Sequence, residues 1–330
     1  MLKPLYIFQS GTLRRRQNTL VYEMGTQRVS FPVESIKEVH LFGETTLNTK
    51  VINFLAARGI PVHCYNYYGH YTGSLYPREQ NISGLVVIRQ SEHYLDPERR
   101  LWLAQRMVEG SIFNMVHVLR YYDRRGRSLQ SAIDSMEGLL EQIPTLQTID
   151  QVRGCEGKAR DLYFAAWDEI IAQEQFQLQK RERRPPSNPV NALISFGNGL
   201  LYATVVSELF HVHLHGGISF VHEPGSYRFS LALDIADIFK PIIVDRLIFS
   251  LVNRRQLQPR HFEVHSHYAY LKENGRKLFI ERWQKQMETT VKHPQLRRNV
   301  SYRHLIRLEC YKLIKHFLGE KPYKPFKIWW

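Results

Sequence analysis

Two hydrophobic periods divide this chain. Up to about residue 88, short apolar runs are separated by Gly or polar turns. They are Leu5-Tyr6-Ile7-Phe8, Leu20-Val21-Tyr22-Glu23, Gln27-Arg28-Val29-Ser30-Phe31, Val39-His40-Leu41-Phe42-Gly43, Pro61-Val62-His63-Cys64-Tyr65 and Tyr71 to Tyr76. Runs this short, rich in β-branched and aromatic residues, predict strands. Thr49 to Arg58 breaks the series with a helical pattern that closes at Gly59.

From Pro97 the period lengthens. Leu101, Ala104, Met107, Val108, Ser111, Ile112, Met115 and Val118 recur at helical spacing. Thr148-Ile149-Asp150-Gln151 is a capping box and marks a helix start. Ala192 to His215 predicts a long apolar-striped helix stopped by Gly216-Gly217. Ser230 is placed to cap a helix running past Asp245, and another covers Val300 to Phe317. The pattern predicts an α+β protein. An N-terminal β-rich domain covers 1–88, a linker covers 89–97, and a larger all-helical domain covers 98–330.

Composition narrows the partner. The 330 residues suffice for two domains, and 43% hydrophobic content supports packed cores over disorder. Lys and Arg number 45 against 31 Asp and Glu, a formal charge of +14. That excess favours a polyanionic partner. The three cysteines, Cys64, Cys155 and Cys310, are odd in number and lack CxxC spacing. This reads against a zinc ribbon or a disulfide scaffold and for a reducing compartment. No signal-peptide run is expected at the start, nor an uncharged apolar stretch near the roughly 20 residues that span a bilayer. The expectation is a cytoplasmic protein with no membrane contact.

The candidate chemistry is carried by acids and a histidine. On the helix after Thr148, the residues Val152, Glu156, Ala159 and Tyr163 share one face, so Glu156 sits on an apolar stripe. Gly154 and Gly157 flank it, each costing about 1 kcal/mol in a helix interior, which suits close approach by a backbone or a phosphate. A salt bridge to Lys158 or Arg160 explains Glu156 equally well. Asp234 and Asp237 share a helix face, and Pro241 frees the carbonyl of Asp237. Lys240 is available to pair with Asp237, and Asp234 also suits a first-turn acid. His222 follows the Gly-Gly break. Two carboxylates and an imidazole suit a hard divalent cation such as Mn²⁺ or Mg²⁺, and a divalent ion in a basic protein points to phosphodiester chemistry. His211 and His215 stand at i, i+4 like a zinc pair, but Val212 replaces the Glu of HExxH, so capping of the helix end is favoured. Basic runs at Arg14-Arg15-Arg16, around Arg183-Arg184 and from Lys312 to Lys327 suit phosphates and unstacked bases.

With these residues laid out, the whole chain resembles the CRISPR-associated integrase of spacer acquisition, a metal-dependent DNA endonuclease. The resemblance rests on Arg184-Pro185-Pro186-Ser187-Asn188-Pro189-Val190-Asn191, on Ile218-Ser219-Phe220-Val221-His222-Glu223-Pro224, and on Arg228 to Asp237. Gly154-Cys155-Glu156-Gly157, Leu41-Phe42-Gly43, Arg58 to Val62 and Lys324-Pro325-Phe326-Lys327 add to it. Its C-terminal pattern points to a type I, I-B-like subtype. The resemblance implies metal ligation by Glu156, His222 and Asp237, with Asp234 in support. It also implies a homodimer formed through the β domain, a small second acquisition protein as partner, and double-stranded prespacer and repeat DNA. Arg183, Arg184 and Arg228 are expected to contact phosphates. Many relatives carry Glu at Asp237 and Asp at Asn188. A structure-specific repair nuclease, a non-catalytic DNA-binding scaffold and a zinc enzyme built on His211 and His215 are the other classes weighed.

Overall fold

The computed structural model describes residues 2–77, 83–182, 185–225, 229–265 and 268–330. The chain divides into two compact units, Met1–Ile82 and Ser83–Trp330.

The first unit holds two four-stranded sheets. One is built from β1 (Lys3–Ile7), β5 (Ile36–Leu41), β7 (Val62–Tyr65) and β8 (Tyr71–Leu75), in that spatial order. Its first two pairings are parallel and the last is antiparallel. The other is built from β4 (Gln27–Pro32), β3 (Thr19–Met24), β2 (Gly11–Arg16) and β6 (Thr45–Leu47). Leu13, Leu20, Tyr22, Val39, Leu41, Phe54 and Val62 belong to its buried core. Helix α1 (Thr49–Ala56) starts at the Asn48 cap, whose side chain accepts from the Val51 N–H. The chain leaves it through Gly59 at φ +66°, a backbone conformation that a side chain resists. Every strand expected from the pattern is present. Strand β2 is not among the strands expected, because Arg14-Arg15-Arg16 reads as a basic run suited to phosphates. Instead Arg14 pairs with Glu23 at 2.9 Å and Arg15 stacks over the Phe54 ring at 4.2 Å.

The second unit is built from α2 (Gly84–Leu95), α3 (Pro97–Asp123), α4 (Gln130–Gln142), α5 (Ile149–Ala165), α6 (Trp167–Ile170), α7 (Pro189–Val212), α8 (Ser230–Lys240), α9 (Arg246–Asn253), α10 (Glu273–Glu288) and α11 (Tyr302–Phe317). Two short antiparallel ladders interrupt the helices. They pair β9 (Phe262–Val264) with β10 (Ala269–Leu271), and β11 (Thr290–Lys292) with β12 (Asn299–Ser301). The fold is thus a β-rich unit followed by a larger helical one, with these two ladders qualifying the all-helical expectation. The expected linker at 89–97 is instead mostly helix: α2 buries Gln90 and His93, and Asp96 caps α3 through the Glu98 and Arg99 N–H groups.

Helix α7 is long and apolar enough to cross a bilayer by length and composition, contrary to the expectation from sequence. Most of it is buried, as in the core helix of a folded domain. Its buried Glu208 receives Arg303 at 2.6 Å and Arg307 at 2.5 Å from α11, so the charge is neutralised by two guanidinium groups. The helix ends at His213 in the left-handed conformation, φ 61°, three residues before the glycines expected to stop it. The segment after α11 returns into the core. Tyr323, Phe326 and Ile328 are buried, the Tyr323 hydroxyl donates to Glu309 at 2.5 Å, and the Ile328 N–H donates to Asn114 Oδ1 at 2.9 Å. The 312–327 aromatics are therefore packing groups, and Lys312 and Lys327 pair with Glu309 and Glu109.

Candidate active site

Helix α5 begins as its sequence predicts. Thr148 Oγ1 accepts from the Gln151 N–H at 3.2 Å, while the Gln151 side chain reaches one residue further back, to the Gln147 N–H at 2.7 Å. One face then buries Val152, Cys155, Glu156, Ala159 and Tyr163. Glu156 is only 8% exposed, and its Oε1 accepts from Arg160 Nη2 at 2.9 Å, one turn on. Of the two partners considered from sequence, Arg160 is the one engaged. A Cβ built at Gly154 or Gly157 would meet nothing within 4 Å. Among the described residues, none therefore packs closely against these glycines.

Helix α8 brings Asp234 and Asp237 to the same buried face, 2% and 5% exposed. Pro241 gives no N–H to the Asp237 carbonyl, and the chain passes into a π-helical turn over Pro241–Asp245. Ser111 Oγ on α3 supplies the missing donor at 3.0 Å, and Asn114 Nδ2 donates to the next carbonyl, Ile238, at 2.8 Å. Ser230 does not cap α8 as expected: its hydroxyl donates back to the Gly217 carbonyl at 3.0 Å.

The segment before α8 is pinned by Asp234. Its Oδ2 accepts the Phe220 and Val221 N–H groups at 2.7 and 3.1 Å. Its Oδ1 accepts the His222 N–H at 3.0 Å and the His222 Nδ1 at 2.8 Å. Arg100 holds the same segment from α3, reaching the Phe220 carbonyl at 3.3 Å and Glu223 at 2.6 Å. A carboxylate on Nδ1 leaves Nε2 as the free lone pair, and Nε2 lies 3.9 Å from Asp237 Oδ2.

Glu156, His222, Asp234 and Asp237 thus line, with Met107 and Ser111, one small, nearly filled cleft. Its charge is organised by two cations. Arg160 Nη2 bridges Glu156 and Asp237, 2.7 Å from the latter, and Lys240 pairs with the other oxygen of Asp237. Burial pushes the Asp237 carboxyl up, but Arg160, Lys240 and His222 overcome it and hold the group well below the usual carboxylate range. Burial draws Lys240 below the usual lysine value despite Asp237. Burial also lowers His222. The hydrogen bond and charge of Asp234, then Asp237 and Glu156, outweigh it and raise the imidazole above its usual value.

These donors suit a hard divalent cation. A single cationic nitrogen already sits within 3 Å of both Glu156 and Asp237, and Asp234 on Nδ1 is the support a ligating histidine takes. Ligation by these three groups requires the Arg160 guanidinium to leave their oxygens. Among the described residues, the triplet whose ligand atoms all lie within 4.8 Å of one another is a different one, Glu38, His40 and His63 of the first unit. It went unnoticed because it depends on strand register. Arg160 was named only as a salt-bridge partner, although its position four residues after Glu156 was legible.

Other expected positions fare differently. Arg183, Arg184 and Arg228 lie outside the described residues. Arg181, beside them, is tied to Asn191 Oδ1 at 2.8 Å and Ser195 Oγ at 3.3 Å. His211 and His215 do not share a helix face, because the chain turns left-handed at His213 between them. The geometric premise of a zinc pair is lost.

Comparison with known proteins agrees with this architecture. The family model described as "CRISPR associated protein Cas1" matches residues 5–285. A CRISPR-associated endonuclease Cas1 of Thermodesulfovibrio yellowstonii is 47% identical over 330 residues, covering all of both chains. A solved Cas1 protein from Thermotoga maritima is 39% identical, with a TM-score of 0.90, covering 98% of this chain and 100% of its own. A casposase bound to integration product shares the fold at 18% identity, with a TM-score of 0.89 over 99% of this chain and 93% of its own. With the family model spanning most of its length and a full-length relative at nearly half identity, this chain belongs to the Cas1 family of CRISPR-associated proteins.

Proposed function

We propose that this protein is a metal-dependent DNA endonuclease and integrase of a type I, I-B-like system. It joins the 3′-hydroxyl ends of prespacer DNA into a CRISPR repeat array. The observation that carries the reading is that one cationic nitrogen bridges Glu156 and Asp237, with His222 Nε2 3.9 Å from Asp237 and Asp234 setting the imidazole's orientation. A Mn²⁺ or Mg²⁺ bound by Glu156, His222 and Asp237 would polarise a non-bridging phosphate oxygen and stabilise the charge that develops there.

The chain's own residues do the rest. Asp234 keeps His222 in the tautomer that presents Nε2 to the cleft. Arg160 and Lys240 neutralise the buried acids before substrate arrives, and on release from them can pair with phosphate. Gly154 and Gly157 leave the face beside Glu156 low enough for a DNA backbone to approach. The incoming 3′-hydroxyl attacks a repeat phosphodiester as one P–O bond forms and another breaks, so no nucleotide triphosphate is consumed. Water in the same place gives nuclease activity.

The helical unit carries the catalysis. The β-rich unit pairs with a second copy, a small second acquisition protein completes the complex, and Arg183, Arg184 and Arg228 contact phosphates. The complex works in the cytoplasm, where its cysteines stay reduced. The test is strand transfer of a labelled prespacer into a supercoiled repeat plasmid, with and without the small partner. Glu156→Ala and Asp237→Ala are expected to abolish joined product while retaining DNA binding. Product from either variant at the wild-type level overturns the site. Cleavage with no joining, even with 3′-hydroxyl ends supplied, favours a repair nuclease, and indifference to Mn²⁺ favours a non-catalytic scaffold.

A further inference from the structure

The first unit contains a second constellation of ligand-type side chains. On β5, Glu38 and His40 are two residues apart and so emerge on the same face. The parallel pairing of β5 with β7 sets His40 opposite His63. Strand alternation and register together place one carboxylate and two imidazoles side by side. All three are essentially inaccessible, at 0%, 1% and 0% exposure. Their ligand atoms lie within 4.8 Å of one another.

The surroundings are those of a supported ligand set. His40 Nδ1 meets the Tyr65 hydroxyl at 2.9 Å, which turns its Nε2 to Glu38 Oε1 at 3.0 Å. His63 Nδ1 meets Ser74 Oγ at 2.6 Å, and that hydroxyl meets the Tyr71 hydroxyl at 2.7 Å. Each imidazole is therefore anchored at Nδ1 by a hydroxyl on β7 or β8. These contacts hold the ring orientations, and His40 presents its Nε2 to Glu38. The Tyr6 ring stacks on His40 at 4.5 Å, and Tyr76 sits edge-on to His63 at 6.2 Å. These aromatic walls exclude water and restrict rotation of the rings.

We propose that Glu38, His40 and His63 form a structural site for a divalent transition ion of the zinc class, separate from the catalytic centre. Two imidazoles and one carboxylate match the ligand preferences of Zn²⁺ and leave one position of a tetrahedron for a water or hydroxyl. Tetrahedral bonds of about 2.0–2.2 Å set ligand atoms roughly 3.4 Å apart, so the His40–Glu38 pair, now at 3.0 Å, opens slightly to admit the ion. The ion replaces the direct His40–Glu38 contact and ties β5 to β7 by coordination. The oxygen-rich acids of the helical unit instead suit Mn²⁺ or Mg²⁺, so the two centres differ in the metal they prefer.

The test uses full-length protein carrying Glu156→Ala and Asp237→Ala, which removes the other centre, purified from zinc-replete medium. Elemental analysis is expected to find about one equivalent of zinc per chain. Extraction with a chelator should lower Tm, Zn²⁺ but not Mg²⁺ should restore it, and Co²⁺ should add the visible absorption of a four-coordinate site. Adding His63→Gln or Glu38→Gln should cut the retained zinc at least tenfold while far-ultraviolet circular dichroism keeps its helical signal. If the parent retains no zinc, shows no cobalt spectrum and melts identically with and without Zn²⁺, the cluster is a hydrogen-bonded polar core and the proposal fails. That result needs no variant of the cluster to fold.

Discussion

A single carboxylate oxygen, Asp234 Oδ1, receives both the backbone N–H of His222, at 3.0 Å, and its ring Nδ1, at 2.8 Å. One acid thus sets where the histidine begins and which way its ring faces. The other oxygen takes the N–H groups of Phe220 and Val221, so four donors converge on one buried group. Asparagine keeps the shape but offers one acceptor oxygen and an amide that repels N–H donors. Asp234→Asn should therefore lower stability by about 1–3 kcal/mol, read as a shift in the urea midpoint at constant m. It should also raise the Mn²⁺ concentration for half-maximal strand transfer by about 10–100-fold. An unchanged Mn²⁺ requirement would separate Asp234 from the metal centre.

The raised pKa of His222 has two consequences of opposite sign. Its folded-state value exceeds the unfolded one, so the imidazolium stabilises the metal-free protein fully below about pH 6.5 and loses that contribution as pH rises through the higher folded value. Metal ligation needs the neutral ring, so protons compete with the ion. Activity at low Mn²⁺ should fall as pH drops through a midpoint above 6.5, and saturating Mn²⁺ should move that midpoint down. A midpoint insensitive to Mn²⁺ concentration counts against His222 as a ligand.

Arg160 is the internal counterion that a metal at the proposed site would have to replace. Removing it leaves buried Glu156 without its guanidinium and Asp237 with Lys240 as its remaining close cation, a loss of about 3–5 kcal/mol by analogy with broken buried pairs. Arg160→Met should lower Tm in chelator, and added Mn²⁺ should raise Tm by more in the variant than in the wild type, because no guanidinium competes. Equal Mn²⁺-induced shifts in the two proteins would show that ion and guanidinium do not share the position.

Gly154 and Gly157 permit a sharp separation of stability from binding. Neither would place a Cβ against anything in the chain. Gly157→Ala should stabilise the helix by up to about 1 kcal/mol. If DNA uses the bare face, the same change should weaken prespacer binding several-fold in a fluorescence-anisotropy titration. Unaltered affinity would leave these glycines without a role in DNA approach.

Legibility in the sequence followed how local each feature is. The apolar face carrying Glu156 and the shared face of Asp234 and Asp237 follow from helical period alone, and both hold. The acceptor freed by Pro241 was readable, but Ser111, its donor from 126 residues away, was not. Arg14-Arg15-Arg16 misled because its charge suggested a phosphate-binding run, while its backbone pairs in a sheet and Arg15 lies on an aromatic ring. The aromatic residues after α11 looked like a basic binding surface until their packing against Asn114 and Glu309 was visible. Glu38, His40 and His63 were the least accessible to sequence reasoning, since their meeting depends on the register of two strands separated by a helix.

Ser111 and Asn114 on α3 grip the carbonyls of Asp237 and Ile238, so the backbone beneath the acid is fixed. What remains free to respond is the tips of two long side chains, Arg160 and Lys240. In the proposed centre, loading an ion would then be an exchange of counterions over a fixed floor, with no chain segment having to refold.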